Sequence, residues 1–108
     1  MLEDVAILGD WSRAVYGVFA YYINDPVVFN GVNVQDAGYD GLYVSYAYGG
    51  ITISDADIRG CRNNGLTIYY SGSTVVREST FDGNGGDQVY SNSGKGVLSV
   101  LLYNSILI

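Results

Sequence analysis

Apolar residues recur along this chain in short alternating stretches, and the stretches themselves repeat. With Gly17, Gly41, Gly65 and Gln88 set in one column, at spacings of 24, 24 and 23 residues, the next position is apolar in every row: Val18, Leu42, Leu66 and Val89. Two residues further on stand Ala20, Val44, Ile68 and Ser91. A second column holds Phe29, Ile53, Val76 and Leu102, with Val27, Ile51, Thr74 and Val100 two positions before. A third holds Val34, Ile58 and Phe81, preceded in the same way by Val32, Ala56 and Ser79. Alternation of period two predicts β-strands, and none of the stretches carries a helical period. Each unit is therefore expected to form three short strands and to return above itself about every 24 residues. In the central unit, 41–64, the expected strands are 42–45, 51–53 and 56–59. Ser54 and Asp55 make a short corner there, and a second corner at 61–64 leads into the next unit at Gly65.

The start of the chain follows this plan less closely. Val5 falls one repeat before Phe29, but Asp10 lands where an apolar residue is expected, so 1–16 reads as an atypical first coil with Trp11 closing over the first layer of core. The other end, at Leu107 and Ile108, has no polar cap, as expected of a fragment of a longer protein or of a surface continued by another subunit. Asn30-Gly31, Asn64-Gly65 and Asn84-Gly85 are also hairpin signals, and they would suit an antiparallel sandwich. A hairpin protein has no need of the same column order at each repeat, whereas a stacked coil does. Asn and Gly also serve at the left-handed positions of any tight corner.

Composition narrows the partners. The chain has 108 residues, enough for one domain spanning 1–108, with 15 Gly, 11 Tyr, one Pro and a formal net charge of -6. Its five basic residues are Arg13, Arg59, Arg62, Arg77 and Lys95, too few against this acidity to bind a nucleic-acid backbone. There is no His, which removes the commonest general base and metal ligand, and the lone Cys61 reads as a small, partly buried apolar filler. The longest apolar run, 97–108, is too short for a membrane span, and the acidic start MLEDVAIL does not read as a secretory signal.

Three short strands per coil, the short corner at Ser54-Asp55 and the small-polar corner before a Gly-Leu or Gly-Val start resemble the right-handed parallel β-helix of the pectate-lyase-like superfamily, over 17–108. The resemblance implies an all-β solenoid of about four coils of 23–26 residues, with like residues stacked in ladders about 4.8 Å apart. It also implies an extracellular or cell-surface setting and a polysaccharide or glycan partner. The fold hosts lyases, uronate epimerases, tailspikes and adhesins, so it leaves function open. The catalytic His of the epimerases and the Asp-pair and His-Gly pattern of the polygalacturonases are both missing here.

Substrate grooves in the resembled enzymes run along the sheet of the first strand, which directs attention to its outward ladders. These are Phe19, Tyr43, Thr67 and Tyr90, then Tyr21, Ser45, Tyr69 and Asn92, an aromatic and hydroxyl-bearing strip suited to stacking on sugar rings. The plainer reading is that Tyr packs well on a β surface. Tyr22, Tyr46 and Tyr70 form a further ladder, read as a structural stack at the corner.

Just before the strand, Asp40, Asn64 and Asp87 share a column, with Asp36 nearby. Stacked carboxylates at Asp40 and Asp87 would repel unless a cation such as Ca²⁺ or a hydroxyl-rich ligand came between them. The run DGNGGDQVY from Asp82 likewise resembles one copy of a calcium-binding β-roll repeat, against the plainer reading of solvated turn residues. Asp55 and Glu78 beside Arg77, and Arg59 with Asp82, read as surface ion pairs rather than as an acid-base pair, and no residue is nominated as catalytic.

The leading expectation is a carbohydrate-binding or structural β-helix segment that uses Tyr43, Tyr69 and Tyr90, with Asp40, Asn64 and Asp87 at the groove edge. One alternative is a polysaccharide lyase or uronate epimerase with Arg62 as base and Ca²⁺ as cofactor. The other is an adhesin-like or tailspike-like module that self-associates through its open ends.

Overall fold

In the computed structural model the chain winds into a solenoid of short parallel strands. The structure describes residues 1–92, 100–103 and 105–108, the 100–103 strand by its backbone alone; Lys95 and most of the apolar run from Val97 onward lie outside the described residues or side chains. The strands are β1 (Leu2–Glu3), β2 (Ala6–Leu8), β3 (Val18–Ile23), β4 (Val27–Asn30), β5 (Asn33–Gln35), β6 (Leu42–Ala47) and β7 (Ile51–Ser54). They continue with β8 (Asp57–Arg59), β9 (Leu66–Tyr69), β10 (Thr74–Arg77), β11 (Thr80–Asp82), β12 (Val89–Asn92), β13 (Val100–Tyr103) and β14 (Ile106–Leu107).

Three sheets result. The first runs β3-β6-β9-β12, the second β1-β4-β7-β10-β13 and the third β2-β5-β8-β11-β14. Among the described residues every strand pairing is parallel, so these strands form no hairpin sandwich and the Asn-Gly pairs serve as corners instead.

The registers match the repeat columns. Val18 pairs with Leu42, Leu42 with Leu66 and Leu66 with Val89, while Phe29, Ile53, Val76 and Leu102 pair in series. Residues of these columns interdigitate as one core: Leu42, Val44, Ile53, Ile58, Leu66, Ile68, Val76 and Phe81 are fully buried. A parallel coil exposes one side of each strand and buries the other, and this is why alternation in the sequence becomes a continuous apolar interior.

The first coil departs from its expected register. Leu2, not Val5, pairs with Phe29, and Ile7 pairs with Val34. The reason is three extra residues between β2 and β3, where 9–17 does the work done by 36–41 in the next coil. Asp10 starts that insertion: its carboxylate accepts hydrogen bonds from the Ser12 backbone N–H at 3.0 Å and hydroxyl at 2.6 Å, and its carbonyl accepts from Arg13 N–H. An acidic residue in an apolar column was thus the mark of an inserted turn. Trp11 rides on this turn, 52% exposed, and does not close over the core; the Arg62 guanidinium lies 5.1 Å from its ring centroid.

The corner between the second and third sheets repeats a single backbone device. Asp4, Gly31, Asp55 and Glu78 all take positive φ, at 50, 69, 51 and 49°. Asp55 and Glu78 are therefore exposed corner residues, not a pair set into a cleft.

Candidate functional site

Strict alternation on the first sheet would send successive side chains to opposite faces. It breaks at one column. Tyr22, Tyr46 and Tyr70 take φ of 55, 54 and 49°, a region that bulky residues rarely visit. Val44 and Ala47 are both buried although they are three residues apart, so the two residues between them, Ser45 and Tyr46, both face outward. The same shift places Tyr22 beside Tyr21, ring centroids 4.5 Å apart, and Tyr70 beside Tyr69 at 6.1 Å. A left-handed residue thus re-aims a side chain much as a bulge does. It moves the Tyr22, Tyr46 and Tyr70 ladder, read from the sequence as a corner stack, onto the outer face of the sheet.

The outcome is a continuous aromatic surface. Phe19 and Tyr43 stack at 4.8 Å with an interplanar angle of 1°. Tyr43 meets Tyr69 at 5.8 Å, and Tyr69 meets Tyr90 at 5.8 Å. Alongside, Tyr22 stacks on Tyr46 at 4.6 Å and Tyr46 on Tyr70 at 5.2 Å. Tyr16 extends the surface, 5.0 Å from Tyr43 and 5.3 Å from Tyr39. Sequence reasoning passed over Tyr16, which heads the column that continues as Asp40, Asn64 and Asp87. Each of these contacts falls in the range of favourable offset or edge geometry.

Small residues sit among the rings. Ser45 and Thr67, expected as exposed members of the ladders, are 1% and 2% exposed because flanking tyrosines cover them. The Ser45 hydroxyl has no hydrogen-bond partner. Around it Tyr21, Tyr43, Tyr46, Tyr69 and Tyr70 enclose an open hollow of about 370 Å³ with Ser45 at its floor.

The polar column beside the strip is a hydrogen-bonded ladder. Asp40 is 2% exposed, and its Oδ1 accepts from the Asn64 backbone N–H at 3.0 Å and from Asn63 Nδ2 at 2.9 Å. Asn64 repeats the arrangement one coil on, its Oδ1 accepting from Asp87 N–H at 2.8 Å while its Nδ2 donates to Thr67 at 3.0 Å. Asp87 itself is exposed. Asn64 thus stands between the two carboxylates proposed for Ca²⁺, and among the described residues no group of three or more His, Cys, Asp or Glu side chains could hold a metal ion. In the DGNGGDQVY run, Asn84 is buried and holds Cys61 N–H at 2.9 Å. Arg59 bonds Asp57 and reaches Asp82 at 3.3 Å, on the exposed side of the third sheet.

Packing of ring on ring also shifts the phenols. Desolvation by their neighbours raises the pKa of Tyr16, Tyr21, Tyr46 and Tyr69 above its usual value near 10.0, and the Asp40 carboxylate adds to the rise at Tyr16 and Tyr69. Since the folded values lie above the unfolded one, ionisation favours unfolding. The contribution is whole below about pH 10 and is lost as pH climbs through the raised values. Melting temperature is therefore expected to hold between about pH 7 and 9 and to fall steeply above pH 10, with a shallower fall in Tyr46→Phe. Thermal melts followed by circular dichroism, with tyrosinate absorbance recorded in parallel, check this. Identical alkaline profiles for the two proteins would remove Tyr46 from the account.

Comparison with known proteins bears on the fold. The family model described as a right-handed β-helix region matches residues 10–107. No curated protein matches the chain, and no solved structure matches it. With three parallel sheets, one stacked core and a family match over nearly its whole length, the chain belongs to the right-handed β-helix family.

Proposed function

We propose that the chain is a carbohydrate-binding β-helix module whose first sheet carries the binding face. The observation that supports this most directly is the contiguous run of tyrosines around Ser45, with Tyr21, Tyr22 and Tyr70 exposed and Tyr43, Tyr46 and Tyr69 half-buried, none of them part of the core beneath. An exposed apolar patch of this extent marks an interaction surface more often than it serves stability. Sugar rings present apolar C–H faces and equatorial hydroxyls together. A tyrosine matches both, with a flat ring to stack on and a phenol that donates and accepts. A phenol is protonated at neutral pH in any case, and the upward shifts at Tyr16, Tyr21, Tyr46 and Tyr69 extend that state further into the alkaline range.

The assigned roles follow. Tyr43, Tyr69 and Tyr90 form the stacking strip, while Asp40, Asn64 and Asp87 border it, Asp40 and Asn64 chiefly by holding the corner of the next coil in place. The double variant Tyr43→Ala with Tyr69→Ala is expected to lose about 1–3 kcal/mol of glycan affinity, roughly 10- to 100-fold in Kd, while its melting curve remains cooperative. A glycan array followed by titration of the hits measures this. Unchanged binding by the folded double variant would sink the assignment.

A further inference from the structure

Charge on and around the hollow points to one class of sugar. Its lining residues, Tyr21, Tyr43, Ser45, Tyr46, Tyr69 and Tyr70, carry no charge. Among the described residues the cations lie elsewhere and are engaged. Arg13 pairs with Asp10 at 3.4 Å on the inserted turn, Arg59 with Asp57 and Asp82 on the third sheet, and Arg62 lies over Trp11. Arg77 ends β10 in the second sheet.

Among the described residues, the charge at the border of the strip is negative. Asp40 is buried at its border, close enough to raise the phenol pKa of both Tyr16 and Tyr69. The chain as a whole carries a net charge of -6. A carboxylate brought onto this face would lose hydration with no cation among the described residues of the face to replace it, and would meet a repulsive field as it approached.

We infer that the hollow over Ser45 receives an uncharged sugar unit, so that the face selects neutral polysaccharides and rejects polyuronates. This deepens the carbohydrate-binding reading and rests on it. Ser45 is the feature that makes room. Its column neighbours in the adjacent coils are Tyr21 and Tyr69, and a third tyrosine at this position would fill the space where the rings now part. The Ser45 hydroxyl lies just under the rings without a partner, and a sugar hydroxyl that reached it would supply the hydrogen bond it lacks.

The test is isothermal titration of the intact chain with cello-, manno- and xylo-oligosaccharides against galacturonan and mannuronan oligosaccharides of matched length, at low and high salt. The inference expects a neutral member to bind at least about tenfold more tightly than either uronate, with little salt dependence. Ser45→Tyr should abolish that binding, and Ser45→Leu serves as a second filling variant if the first melts early. Uronate binding equal to or tighter than neutral binding overturns the inference while leaving the carbohydrate reading in place. Neutral binding unchanged in both folded Ser45 variants overturns the role of the hollow. Failure of every oligosaccharide to bind overturns the inference and the carbohydrate reading together.

Discussion

Phe81→Ala is expected to cost about 3–5 kcal/mol, the range for removing a large buried aromatic side chain. Among the described residues Phe81 is the largest fully buried side chain. It sits in β11 between Ile58 and Leu107, and its ring extends across the coil to the beginning of the first sheet, where a methyl group placed on Gly65 would come within 3.1 Å of its Cδ1. One ring therefore joins two sheets. Stability in a solenoid is a sum of coils and the contacts between neighbours, so a cavity here loosens two interfaces at once. Against a total stability of about 5–15 kcal/mol for a domain, the variant is expected to unfold at a much lower denaturant concentration. Urea unfolding of Phe81→Ala beside Phe19→Ala measures the contrast. Phe19 lies on the outer face, 55% exposed, and its truncation should cost about 1 kcal/mol or less. Equal losses for the two variants would contradict the core assignment.

Gly41→Ala is expected to follow, at about 1–3 kcal/mol. Conformational freedom is not the issue at this position; space is. A Cβ on Gly41 would stand 2.5 Å from Ile58 Cγ2, 2.8 Å from the Gly65 carbonyl oxygen and 3.1 Å from Cys61 Sγ. Ile58 is fully buried and Cys61 nearly so, which leaves neither free to retreat. The Gly41 N–H also bonds the Asn64 carbonyl at 2.9 Å, and the Gly41 carbonyl accepts from Val18 N–H at 2.9 Å. A shift of this residue would stretch the pairing to both neighbouring coils. A lowered melting temperature with a weaker first sheet in hydrogen exchange is the expected result. Wild-type protection of Val18 and Leu42 in the variant would show that the coil absorbs the methyl group.

Much of the fold could be read from residue types because a parallel coil returns each residue above its counterpart. Val27, Ile51 and Thr74 or Val34, Ile58 and Phe81 keep their columns only if the chain closes a turn at constant length. The reading failed where that length changed. Asp10 opens a turn of three added residues, and this moved Leu2 into the place assigned to Val5.

It failed again where backbone conformation departed from residue preference. A left-handed residue is foreseen at Asn or Gly, but nothing in the chemistry of a phenol ring announces it at Tyr22, Tyr46 and Tyr70. For that reason the Tyr43, Tyr69 and Tyr90 strip was legible, while the Tyr22, Tyr46 and Tyr70 ladder was legible as a stack but not as a second row on the outer face. Asp40 was visible as an acidic residue at the groove edge, but its burial depends on Asn63 and Asn64 arriving from the next coil. Thr67 and Ser45 were expected on the surface for a similar reason, since alternation gives direction but not the size of the neighbours that lean over.

The left-handed column has a consequence for how such a surface could be rewritten. Because the coils of Tyr22, Tyr46 and Tyr70 each turn two successive side chains outward without disturbing the inward residues around them, display and support are encoded at separate positions. Residues 21, 22, 45, 46, 69 and 70 form a small alphabet on a frame set by Ala20, Ile23, Val44, Ala47 and Ile68. A library randomised at the six outer positions alone would vary what the sheet recognises while leaving the letters of the frame untouched.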